Sequence, residues 1–117
     1  MDAEHGIDIL IASASGATAN LHLDFYQRPP ARNVEFVGTE GRITFDYYSS
    51  RIEVFSREKP EPVEIIDMSD SFERNNMFIS EIEHFFDCIT DGLTPVPGLA
   101  EGKAALNVAL QAIATES

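Results

Sequence analysis

His22 and Asp24 stand two residues apart in a stretch whose alternate residues face the same way, so a carboxylate could orient an imidazole there for proton transfer. Surface residues two apart on a strand meet on any solvated face, and that reading outweighs a catalytic pair. Glu81 and His84 have the Glu-x-x-His spacing that puts two possible metal ligands on one helical face. Carboxylate di-metal sites need two such motifs plus further acids, and only one is present, so a helix-surface role is expected and no metal site is assigned. Cys88 follows His84 by four residues, which makes thiol and imidazole helical neighbours. Without a third group to orient the ring, Cys88 reads as a small packing residue, and no catalytic residue is assigned. Arg28 and Arg32 flank Pro29 and Pro30 in a chain with eight lysines and arginines. They are the best candidates for gripping a carboxylate or phosphate, because loops on rigid scaffolds often carry binding groups. With His22 and Tyr26 from the neighbouring polar strand face, they make up the candidate substrate-binding set.

The elements that must position these residues follow from periodicity. From Ile7 to Phe55 the pattern is close to two, the strand signal. Ile7, Ile9 and Ile11 alternate with Asp8 and Ala12, although Leu10 breaks the polar face. Ala17, Ala19, Leu21, Leu23 and Phe25 then point one way, and Thr18, Asn20, His22, Asp24 and Tyr26 the other. Small residues at 13–16 suit a hairpin connection between the two runs. Residues 27–32 must form a loop, since their two prolines lack backbone donors and cannot sit in a central strand. Residues 33–37 and 42–48 read as a second hairpin around Gly38 and Gly41, 51–55 as a fifth strand, and 63–67 as a sixth, edge-like one.

After Asp70 the period changes to about 3.6 residues. Phe78, Ile82, Phe85, Phe86 and Ile89 form one stripe along a helix, and Gly92 suits its left-handed cap. Pro95 and Pro97 stop the helix from resuming, and a second helix is expected from about Ala100 to Thr115, with Leu99, Leu106, Ala109, Leu110 and Ile113 on its inner side. Strands first and helices afterwards give an α+β fold: an antiparallel sheet of about five or six strands with the two C-terminal helices packed on one face. The opposite face, bearing His22, Asp24 and Tyr26, is expected to lack cover within the chain and to serve for homodimerisation.

The chain has 117 residues, the size of one domain, and residues 1–117 are read as such. Its single cysteine, Cys88, excludes an internal disulfide and suits a reducing cytoplasm. Its apolar runs are far short of a membrane span, and its first residues carry no export signal. A net charge of −12 opposes binding to nucleic acid or to an anionic membrane, and the scattered acids describe a solvated surface. Neither Gly-x-Gly-x-x-Gly nor Gly-x-x-x-x-Gly-Lys-Ser/Thr occurs, so the chain itself is expected to bind no dinucleotide or nucleotide cofactor.

The order of segments resembles the C-terminal domain of the glucose-fructose oxidoreductase/inositol dehydrogenase (Gfo/Idh/MocA) family. The matching stretches are Ala-Thr-Ala-Asn-Leu-His-Leu-Asp at 17–24, Val-Glu-Phe-Val-Gly-Thr-Glu-Gly-Arg-Ile at 34–43, and Met-Phe-Ile-Ser-Glu-Ile-Glu-His-Phe-Phe-Asp-Cys-Ile at 77–89. Thr94-Pro95 and residues 104–112 complete the likeness. The resemblance implies a two-part, NAD- or NADP-dependent oxidoreductase acting on a sugar, inositol or related derivative. An N-terminal Rossmann domain would hold the cofactor, and a domain like this one would supply the dimer interface and help close the substrate pocket. The Rossmann part is missing here, so the chain is expected to be inactive alone. Glu58-Lys59-Pro60 looks like the family's Glu-Lys-Pro motif, but it joins two late strands here, where the family places it on a Rossmann strand, and it is read as coincidence. The alternative from a different class is a stand-alone domain that dimerises or binds a ligand or partner without redox activity.

Overall fold

The computed structural model describes residues 6–115. Six strands precede two helices: β1 Gly6–Ala12, β2 Thr18–Asp24, β3 Asn33–Val37, β4 Gly41–Asp46, β5 Arg51–Ser56, β6 Glu64–Asp67, α1 Arg74–Asp91 and α2 Leu99–Ala114. The class is α+β with antiparallel strands, but the strands form two sheets, β1-β2 and β3-β4-β5-β6. The break follows from the chemistry after β2. Asp24 Oδ1 accepts the amides of Tyr26 and Gln27 at 2.7 and 2.9 Å, which turns the chain out of the strand, and Pro29 and Pro30 then offer no donors to extend the pairing.

By contact the chain divides into two compact units, residues 24–73 with β3 to β6, and residues 7–23 together with 74–115. In the first unit, the register pairs Val34 with Phe45 and Phe36 with Ile43. It continues from Ile43 to Val54 and from Phe45 to Ile52, and then from Ile52 to Ile66. These side chains share one face of the sheet, because residues two apart on a strand point the same way. The other face is polar: Arg42 Nη1 meets Glu35 Oε2 at 3.0 Å, and Arg51 Nε lies 2.9 Å from Glu53 Oε1. The second contact is an ion pair without a directed hydrogen bond, since the Arg51 Nε–H has no acceptor along its axis.

In the second unit, Ile7, Ile9 and Ile11 are half-buried while Asp8, Leu10 and Ala12 are exposed, the alternation of a ribbon with one apolar face. Helix α1 carries the 3.6-period stripe and ends at Gly92, whose φ of 66° is the left-handed cap conformation. No acidic residue lies in its first turn and no basic residue in its last, so its stability must come from covering the stripe rather than from charges at its ends. Helix α2 starts with the Glu101 carboxylate accepting the Gly98 amide at 3.0 Å.

Among the described residues, neither unit buries a single apolar side chain. Phe36 on the sheet is 67% exposed, Phe85 on α1 62% and Leu99 on α2 92%. What holds the elements locally is turn chemistry. Asp24, Asp46 and Asp67 end β2, β4 and β6, and each carboxylate accepts the amide two residues on, from Tyr26, Tyr48 and Ser69. Part of the acidic excess is thus spent on stopping strands.

Two consequences are measurable. A side chain at Gly41 would run into the Phe55 carbonyl oxygen across the β4-β5 pair. Gly41→Ala is therefore expected to lower stability by about 3 kcal/mol, read from urea unfolding. At the end of β6, the Ser69 hydroxyl and amide donate to Asp67 Oδ1 at 2.6 and 2.9 Å. Chiefly through the hydroxyl, and with help from the Arg51 charge, they hold the Asp67 carboxyl below its ordinary value of 3.8. A carboxyl depressed in the fold stabilises it above pH of about 4 and loses that contribution as pH falls through the lowered value. Ser69→Ala should move the Asp67 titration midpoint upward, which carbon-detected NMR of the carboxyl reads directly.

Candidate functional site

The four candidate binding residues fall into both units: His22 in the one with β1 and β2, and Tyr26, Arg28 and Arg32 in the one with the four-stranded sheet. His22 Nδ1 and Asp8 Oδ1 are 2.7 Å apart, a cross-strand pair between neighbours in the β1-β2 ribbon. Asp24 serves the turn after β2, through the Tyr26 and Gln27 amides. One carboxylate beside the imidazole is Asp8, fourteen residues away, a partner that a spacing of two residues could not reveal.

In the di-proline loop, Arg28 Nη1 donates to the Gln27 carbonyl at 2.7 Å, and its guanidinium is held against its own loop. Arg32 is more firmly placed. Its carbonyl accepts the Tyr47 amide at 2.9 Å, and its guanidinium lies 4.7 Å from the centre of the Tyr47 ring. Tyr47 in turn meets Phe72 edge to face at 6.0 Å, so a cation and two aromatic rings fix the end of β4. A stacked guanidinium keeps its in-plane N–H edge for an oxyanion, which suits Arg32 to carboxylate or phosphate recognition.

The four-stranded unit also carries two concavities. One, of about 470 Å³, lies on the polar face, where Asn33, Glu35, Thr44, Asp46, Arg51 and Glu53 contribute to its lining. The other, of about 310 Å³, lies at the β3-β4 turn and the end of β5, with Arg42, Arg57 and Lys59 in its wall. These three bases lie up to seventeen residues apart in sequence and share a wall only through the β4-β5 register, which no local spacing reveals.

On α1, His84 Nε2 accepts the Val96 amide at 3.1 Å and has Cys88 Sγ at 3.6 Å. Accepting an amide N–H requires a lone pair, so Nε2 is the unprotonated nitrogen and the ring proton sits on Nδ1. The imidazole thus ties the interhelical loop to α1. Among the described residues, no group of three or more His, Cys, Asp and Glu side chains is arranged to hold a metal ion.

The turn containing Gly38 and Gly41 joins two antiparallel strands, with the Gly38 amide given to the Gly41 carbonyl at 2.9 Å, so the chain leaves it as a strand and not as a helix. At the start of α2, the Glu101 carboxylate already occupies the Gly98 amide, and its charge would repel a pyrophosphate. No helix among the described residues is long and apolar enough to cross a membrane.

Comparison with protein-family models, with characterised proteins and with solved structures finds no match.

The His84 contact is testable without a ligand. His84→Leu removes the acceptor of the Val96 amide, at a cost of about 1 kcal/mol, and should speed hydrogen exchange at Val96 while amides in the middle of α1 keep their protection.

Proposed function

We propose that this chain is the substrate-side and oligomerisation domain of a cytoplasmic, NAD(P)-dependent oxidoreductase acting on a sugar derivative, and that it is not catalytic alone. One observation carries the reading: among the described residues neither compact unit buries an apolar side chain, while sheet and helices each present an apolar face. Apolar faces of this extent are stable only when covered, which is the condition of a domain built to meet other modules or a second copy of itself. The resemblance of its segments to the C-terminal domain of the glucose-fructose oxidoreductase/inositol dehydrogenase family supports the same conclusion, with a Rossmann domain as the module that brings the cofactor. Arg28, Arg32, His22 and Tyr26 are the residues proposed to face substrate, with Arg32 placed by its stacking on Tyr47. The open sheet face is proposed to form a homodimer.

The test uses the full chain. Titration with NAD(H) and NADP(H), followed by nicotinamide fluorescence, should show no saturable binding, and light scattering at micromolar concentration should give twice the mass of 12.9 kDa. Specific micromolar binding of either dinucleotide would contradict the proposal, and so would a strictly monomeric chain. An in-frame Gly-x-Gly-x-x-Gly upstream of the Met1 codon is the expected genomic finding.

A further inference from the structure

We propose that the concavity at the turn end of the four-stranded sheet is a binding site for a phosphate-type oxyanion, independent of the redox reading above. The chain has twenty acids against eight bases, yet three of the eight bases, Arg42, Arg57 and Lys59, share this one wall, which contains no carboxylate residue. Glu40 and Glu58 are chain neighbours of the site and lie outside its lining.

The backbone brings the three bases together. Arg42 opposes Phe55 in the β4-β5 register, and the Arg57 amide extends that pairing by donating to the Glu40 carbonyl at 3.0 Å. The Lys59 amide then turns back to the Ser56 carbonyl at 3.5 Å. Arg42 is positioned on two sides, with its guanidinium 4.4 Å above the Phe55 ring and Nη1 on Glu35 at 3.0 Å. Those contacts use one face and one end of a group with five N–H donors, so donors remain for a ligand. Arg57 and Lys59 have no acidic partner among the described residues. Thr39, in the same wall, contributes a hydroxyl and an amide that donates to no acceptor among the described residues.

Like charges gathered on one wall repel each other, and neither Arg57 nor Lys59 is offset by a carboxylate. A multiply charged oxyanion relieves that repulsion, and guanidinium forks with an ammonium match its tetrahedral oxygens. A volume of about 310 Å³ leaves room for an organic group attached to the phosphate. The ligand class is therefore phosphate, free or as a monoester.

The experiment is an amide NMR titration of the full chain at low salt, with inorganic phosphate in one arm and a simple sugar phosphate in the other. Saturable shifts are expected at residues 38–42 and 55–60, with a dissociation constant of about 1 mM or tighter and weakening as salt is added. Equal affinity in the two arms assigns free phosphate, and tighter binding of the sugar phosphate assigns a monoester. The double variant Arg57→Gln, Lys59→Gln should weaken binding at least about tenfold, and Lys103→Gln, at an exposed base on α2, should leave it unchanged. Both mutated side chains are exposed, so the backbone spectrum of the double variant should match the parent; Lys59→Gln alone, with a loss of about twofold, is the check if it does not. The proposal fails if neither phosphate gives saturable shifts, if the shifts centre on residues 27–32, or if the glutamine variants bind as tightly as the parent.

Discussion

Apolar surface without cover is the constraint on which the rest of this structure turns. Fully burying one leucine or phenylalanine contributes about 1.5–3 kcal/mol, and the sheet face, the β1-β2 ribbon and both helices each present several such side chains. None is buried in either compact unit. Directional bonds therefore define the local geometry, while the largest favourable term in folding, removal of apolar area from water, waits for whatever lies against these faces. A polar-out, apolar-in pattern is present at every level of the chain, in strands and in helices alike. Each element thus has one apolar and one polar side.

The polar chemistry takes up the remaining work in a consistent way. An aspartate ends β2, β4 and β6, and each carboxylate accepts the amide that would otherwise continue the ladder. At the opposite ends, turns depend on steric exclusion. Gly41 sits where any side chain would collide with the neighbouring strand, and Gly92 takes a backbone angle that other residues resist. Strand ends are thus set by short-range interactions that need no core. This explains how the hairpins keep exact registers although their faces are open.

Periodicity made the elements legible, because a rhythm of two or of 3.6 residues is a property of neighbours along the chain. The β3-β4 hairpin, the α1 stripe from Phe78 to Ile89 and the Gly92 cap all lie where local pattern places them. Division of the strands into two sheets was harder to read. Pro29 and Pro30 signalled a loop, but whether pairing resumes across a loop depends on contacts distant in sequence. Side-chain partnerships were the least legible. His22 meets Asp8 through strand pairing, and Arg32 meets Tyr47 through a backbone bond between the loop and the end of β4. Lys59 is the clearest instance: in sequence it stands in a Glu-Lys-Pro stretch read as coincidence, and in the fold it joins Arg42 and Arg57 at one end of the sheet.

The antiparallel topology also decides how this chain can recognise an anion. In a parallel nucleotide-binding sheet, each strand feeds a helix, whose free amides and dipole face the phosphate at the turn between them. Here the strand at each hairpin turn feeds another strand, and backbone donors beyond the turn are committed to the ladder. The first turn of α2, where free amides do occur, is guarded by the Glu101 carboxylate. At the hairpin turns, recognition of an oxyanion then falls to side chains, and in a chain of net charge −12 those side chains have to be concentrated to outweigh the surrounding field. A sheet end that gathers three bases and leaves carboxylates out of its wall meets that requirement, and it does so with groups suited to binding rather than to hydride chemistry.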